Sequence, residues 1–156
     1  MKRTRKVQQR GSSLIEFVLV APWYFLLFSG VLQAGFAICG LIAVQNAARV
    51  AALHLSANPA AATDQPGACT LAIKELKGLP NTGAGFTSDC NASPLTVTVK
   101  YCDAAIPCTG SATSIDGGPA AFVRVTYNLP TVVQFPIAGL PAITRTMEMR
   151  LRDPLP

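Results

Sequence analysis

The sequence predicts an α+β fold, in which a long N-terminal spine helix (residues 12–58) precedes a small disulfide-bonded head (residues 59–156). No charged residue lies between Phe17 and Ala48, and four of the five cysteines lie in the head. The head combines one short helical pattern with three stretches of alternating apolar and polar residues, which favour a three- or four-stranded antiparallel sheet. Half of the 156 residues are hydrophobic and only 13% are charged, which excludes a disordered chain.

The uncharged run is long enough to cross a membrane, since about 20 residues span the hydrocarbon core. A removable secretory signal fits less well, because its apolar region normally has about 7–15 residues. Five of the 13 lysines and arginines lie in the ten-residue tail before the run, with no acid among residues 1–10: Lys2, Arg3, Arg5, Lys6 and Arg10. This asymmetry predicts a cytoplasmic N-terminus. Because the basic excess belongs to this tail, nucleic-acid binding is not expected.

The helical pattern continues beyond the span. Arg49 and its polar neighbours Gln45 and Asn46 occupy one side of the predicted helix. The apolar side consists of Val44, Ala47, Ala48, Ala51 and Leu55. Pro22 removes one backbone hydrogen bond and predicts a kink. His54 is the only histidine, and no potential ligand lies at helical spacing from it, so no role in catalysis or ligand binding is expected.

Glu16 stands at the entrance to the apolar run, five residues after Gly11. One interpretation is a helix start, in which Ser12 or Ser13 caps the helix and Glu16 meets the positive end of its dipole. That interpretation explains why the acid is tolerated. It does not explain the order of basic tail, glycine and acid.

This order resembles the class III signal of type IV pilin-like proteins: a basic leader, Gly11, four residues, Glu16, the aromatic Phe17 and a long apolar helix. Within that group the chain is most similar to a TadE-like pseudopilin, or minor pilin, of the Tad/Flp pilus system. Further shared features are Ala21-Pro22, the stretch at residues 46–49 and the ending at residues 149–151. Both TadE and TadF types remain open.

The resemblance implies that a prepilin peptidase cuts between Gly11 and Ser12 and removes the leader, residues 1–11. It also implies further partners, namely other pilins or pseudopilins and the inner-membrane Tad assembly platform, and a role in assembling an adhesive pilus. The expected location is the bacterial inner membrane, as a single-pass protein with a periplasmic head, and the pilus or cell surface after assembly.

Cleavage would give Glu16 a new partner. It would remove all five leader cations and leave an α-ammonium group on Ser12, four residues from Glu16 and therefore on the same helix face. In a low-dielectric assembly such a pair is worth more than in water, and an unpaired charge would oppose packing. We therefore expect Glu16 to set the register between this helix and other pilin helices.

The head is predicted to begin with a short helix that Asp64 and Pro66 open and Gly78 closes, with an apolar face of Cys69, Ala72, Ile73 and Leu76. A loop is expected at residues 81–93. The predicted strands cover residues 95–101, 121–128 and 143–152, with a fourth candidate at residues 131–135. Arg145 falls on the apolar side of its strand, and the pattern accounts for it only if that end of the strand is exposed.

The four head cysteines, Cys69, Cys90, Cys102 and Cys108, allow three pairings and fit an oxidising compartment. The favoured pairing is Cys102–Cys108 across a loop between strands and Cys69–Cys90 from the short helix to the next loop. No CxxC pair occurs and one histidine cannot complete the usual zinc sets, so no metal is expected. Cys39 is interpreted as a small apolar residue of the span.

No phosphate loop, HExxH motif, nucleophile elbow or carboxylate pair points to catalysis. Asp89, Asp103 and Asp116 occupy turn-like contexts. An enzyme and a cofactor are therefore not expected. Two alternatives remain beside the Tad pilus: a permanently anchored periplasmic binding or scaffold module, and a pseudopilin of a type II secretion system.

Overall fold

A computed structural model describes residues 9–57, 59–79, 90–103, 106–108, 118–129 and 142–152. The predicted fourth strand at residues 131–135 lies outside this part of the chain, as do Asp89 and Asp116. The chain divides into two compact units, residues 1–36 and residues 37–156. Helix α1, Gln9–Ser56, contributes to both units.

The first unit, in its described part, is the N-terminal part of α1. Within the described residues the helix extends from Gln9, so Ser12 and Ser13 lie inside it and the interpretation that one of them caps it is wrong. Gln9 and Arg10 are good helix formers, which extends the helix into the basic tail. Pro22 lies within α1 without ending it. The kink predicted there stays a prediction.

In the second unit, the C-terminal part of α1 contributes to the hydrophobic core. The five residues predicted for its apolar side, Val44, Ala47, Ala48, Ala51 and Leu55, are all buried, whereas Gln45, Asn46 and Arg49 are exposed. Gly40 permits a close approach, because a Cβ there would lie 3.0 Å from Cδ2 of Leu129.

The short 3-10 helix Pro59–Ala61 leads into α2, Gln65–Leu76. Asp64 is the N-cap of α2, as its position in the sequence predicts, and the side chain accepts a hydrogen bond from the backbone N–H of Gly67 at 3.0 Å. The predicted apolar face is confirmed: Cys69, Ala72 and Leu76 are buried, and Ile73 packs against the core.

Four strands form one antiparallel sheet in the order β1-β2-β3-β4. They are β1 (Asn91–Ala92), β2 (Leu95–Cys102), β3 (Ala120–Tyr127) and β4 (Ile143–Arg150). The three longer strands confirm the predicted ones. Strand β1 lies in the region predicted to be a loop, because a two-residue strand is too short to show alternation. Val97, Val125 and Tyr127 are buried on the face of the sheet that joins the core.

Arg145 lies opposite Val125, on the core-facing side of β4. Its side chain is nevertheless exposed, since β4 is an edge strand of the described sheet. An inward-pointing charge on an edge strand hinders pairing with other chains. The exposure under which the sequence pattern accounts for the arginine is therefore observed.

Both favoured disulfides are present. Cys69, in α2, is bonded to Cys90, which comes directly before β1, and Cys102, at the end of β2, is bonded to Cys108. The first disulfide therefore joins the short helix to the sheet. Cys39 is a free, exposed cysteine of α1.

Candidate functional site

The residues of the predicted processing site lie in the first turns of α1. Gly11 and Ser12 have helical backbone, and Glu16 follows Ser12 by four residues in the same helix. Residues at this spacing share a helix face. Glu16 and Phe17 are both exposed, and Phe17 presents 71% of its surface. The site is thus a helical segment with a carboxylate one turn beyond the predicted scissile bond.

The helix after this segment presents a large apolar surface. Fourteen bulky side chains between residues 14 and 32 are exposed: Leu14, Ile15, Phe17, Val18, Leu19, Val20, Trp23, Tyr24, Phe25, Leu26, Leu27, Phe28, Val31 and Leu32. In the part of the chain that the structure describes, α1 is the one helix long and apolar enough to cross a membrane. Such a surface can be removed from water by lipid tails or by other apolar helices.

A second cluster connects the end of α1 to the start of α2. His54 Nε2 lies 3.1 Å from Asp64 Oδ2. Because a carboxylate only accepts hydrogen bonds, Nε2 carries the proton in this contact. The hydrogen bond from His54, followed by that from the Gly67 N–H, lowers the pKa of the Asp64 carboxyl from its ordinary value.

The residues at helical spacing from His54 did not indicate this contact. Asp64 is ten residues away, at the start of the next helix. The short connection between the two helices is the feature of the sequence that could have indicated the contact. Its 3-10 turn brings the end of one helix close to the cap of the other. The arrangement fixes the cap of α2, and no third ligating or nucleophilic group joins it among the residues that the structure describes.

Gly67 has to be a glycine because the capping carboxylate approaches it closely. A Cβ at residue 67 would overlap Oδ2 of Asp64 and lie 2.7 Å from His54 Nε2. We expect Gly67→Ala to displace the cap and lower the free energy of unfolding by about 1–3 kcal/mol. Urea unfolding of the detergent-solubilised full chain measures it.

Gly78→Ala is the matched control for this prediction, because nothing lies within 4 Å of a Cβ at residue 78. This second variant should be as stable as the unmodified protein or slightly more stable. Equal stability of the two variants would show that the close approach at Gly67 does not constrain the fold.

One further group could in principle hold a metal. Among the described residues, the sulfur atoms of Cys102 and Cys108 and a carboxylate oxygen of Glu148 lie within 4.8 Å of one another. The two sulfur atoms form a disulfide. Metal ligation requires thiolates, so this group does not offer the donors of a metal site in the oxidised protein.

The described residues form an exposed apolar helix, consistent with a single-pass membrane protein, followed by a disulfide-bonded α+β head. Residues 11–53 match the family model described as TadE-like protein. The resemblance inferred from the sequence is thereby confirmed, and this segment is TadE-like. Comparison with curated proteins and with solved structures gives no match.

Proposed function

We propose that this chain is a minor pilin or pseudopilin, that a prepilin peptidase cleaves it between Gly11 and Ser12, and that it then takes part in assembling a Tad-type (Flp) adhesive pilus. The observation that carries the proposal is the TadE-like match over residues 11–53. The matched segment starts at the predicted cleavage glycine and contains Glu16, Phe17 and Pro22.

Cleavage changes the energetics of leaving the membrane. The leader carries five cations, which favour the cytoplasmic side and anionic lipid headgroups. Their removal leaves an apolar helix. Contact with other apolar helices stabilises its exposed side chains as much as contact with lipid does. The remaining charges at this end are Glu16 and the new α-ammonium group of Ser12, which neutralise one another.

The proposed location follows from the same charges. The chain is inserted in the bacterial inner membrane with a cytoplasmic N-terminus, and the head lies in the periplasm, where the two disulfides are stable. Its partners are the prepilin peptidase, other pilins and the Tad assembly platform. The role is structural and needs neither a catalytic residue nor a cofactor.

The N-terminus of the membrane-extracted protein tests the proposal. Mass spectrometry should find a chain that starts at Ser12, and cells without the prepilin peptidase should retain Met1 and the basic leader. We expect Gly11→Val to block cleavage, since a branched side chain would replace the hydrogen of the glycine at the scissile bond.

Gly30→Val is the matched control, because a Cβ at Gly30, in the same helix, meets nothing within 4 Å. This variant should be cleaved normally. An uncut chain in unmodified cells would favour the permanently anchored periplasmic module. Cleavage together with co-purification of secretion components instead of Tad components would favour the type II pseudopilin.

A further inference from the structure

The sheet presents a polar outer face made of threonines around one arginine, here called the threonine–arginine face. Its members are Thr96, Thr98, Arg124, Thr126, Thr144 and Thr146. Strand register sets them in two adjacent rows across β2, β3 and β4, namely Thr96–Thr126–Thr144 and Thr98–Arg124–Thr146. Their neighbours along the strands, such as Val97 and Val125, lie on the opposite, buried face.

The face is open to solvent. Arg124, Thr144 and Thr146 are exposed, and the other three members are partly exposed, as expected for short side chains in the middle of a sheet. Beyond the row of Arg124, the same side of the sheet carries a separate buried cluster of Cys102, Cys108, Ala120 and Phe122. The accessible part of the sheet surface is therefore hydroxyl-rich, with the guanidinium group on the central strand.

Positive charge prevails on the sheet. Among the described residues of this outer face, three cations lie on strands β2 to β4 against the single acid Glu148, namely Lys100, Arg124 and Arg150, whereas Arg145 lies on the core-facing side. Within the described part of the chain Arg124 forms no salt bridge, and its recorded contact is with the ring of Phe122, 5.8 Å from the guanidinium carbon to the ring centroid. The Arg124 side chain is exposed, so that an external anion can reach its guanidinium group.

These groups have complementary chemistry for a particular ligand. A guanidinium group binds a carboxylate through two parallel hydrogen bonds. Threonine hydroxyls both donate and accept, and the pair Thr126 Oγ1 and Thr144 Oγ1, 3.2 Å apart, shows that neighbouring hydroxyls are already held in place. Along each strand such positions repeat at about 6.6–6.8 Å, which suits an extended polymer.

We infer that the threonine–arginine face binds an acidic polysaccharide, a sugar polymer whose carboxylates meet Arg124 and whose hydroxyls meet the threonines. A nucleic acid fits less well, because the aromatic side chain next to these rows among the described residues, Phe122, is buried and offers no stacking surface. The inference goes beyond the proposed function and holds whether or not the leader is removed.

Binding of polygalacturonate to the detergent-solubilised full chain tests the inference, with the neutral polymer dextran as the control ligand. We expect polygalacturonate alone to bind, and Arg124→Gln to weaken its binding by about tenfold or more, since a hydrogen-bonded charge pair is lost. Replacing Thr98 and Thr146 together by valine, which keeps the β-branched shape, should weaken it as well.

Arg49→Gln is the matched control, because it removes one exposed cation from α1 and should leave binding unchanged. Equal losses of polygalacturonate affinity in Arg124→Gln and Arg49→Gln would show that binding depends on net charge alone, and this would overturn the inference. The inference is also overturned if polygalacturonate does not bind. It is overturned as well if duplex DNA binds as tightly as polygalacturonate and the variant with valine at residues 98 and 146 binds polygalacturonate and DNA as the unmodified protein does.

Discussion

Replacing Glu16 by alanine is expected to leave cleavage after Gly11 intact and to reduce the amount of the protein in sheared pili by about a hundredfold or more. In the proposed assembly, the carboxylate of Glu16 pairs between apolar helices with the α-ammonium group of Ser12, of the same or a neighbouring chain. Removing one member leaves the other charge buried without compensation, at a cost of about 3–5 kcal/mol. Immunoblots of the sheared and membrane fractions measure the distribution.

Glu75→Ala is the control for the loss of a carboxylate, because Glu75 is exposed on α2 in the head. It should enter pili normally. If Glu16 only favours the start of a helix, as the dipole interpretation holds, Glu16→Ala costs about 0.3–1 kcal/mol and assembly continues. Normal assembly of a correctly cleaved Glu16→Ala protein would therefore contradict the proposed role in register.

The sequence predicted those elements whose pattern repeats several times. The core-facing side of α1 was predicted residue by residue because Val44 to Leu55 includes several turns at constant spacing. Strands β2 to β4 were predicted for the same reason, since eight residues suffice to show alternation. The disulfides followed from these elements, which bring Cys102 and Cys108, and likewise Cys69 and Cys90, within reach of one another.

Features that depend on a single contact between elements were not predictable in this way. The bond between His54 and Asp64 depends on the path of a 3-10 turn, and β1 depends on pairing with β2 rather than on its own two residues. The start of α1 was placed too late because serines suggested a cap, whereas Gln9 and Arg10 continue the helix. The threonine–arginine face likewise needed the strand register, since its rows combine three distant segments.

Of the two disulfides, Cys69–Cys90 should contribute more to the stability of the head. In the chain-entropy account, a bond stabilises by restricting the unfolded chain, and the effect grows with the length of the closed loop. The sequence separation is 21 residues for Cys69–Cys90 and 6 residues for Cys102–Cys108. We expect replacement of the first pair by alanines to lower the free energy of unfolding by about 3 kcal/mol, and replacement of the second by about 2 kcal/mol.

The second pair is a close control for the first, because all four cysteines are buried and each double variant removes the same atoms. Urea unfolding of the full chain in mild detergent, monitored by near-ultraviolet circular dichroism, compares the stability of the two double variants. Cys39 is unchanged in both. An equal or reversed order would show that loop length does not decide the difference. The expected order follows from topology: Cys69–Cys90 joins α2 to the sheet, whereas Cys102–Cys108 closes a short segment after β2.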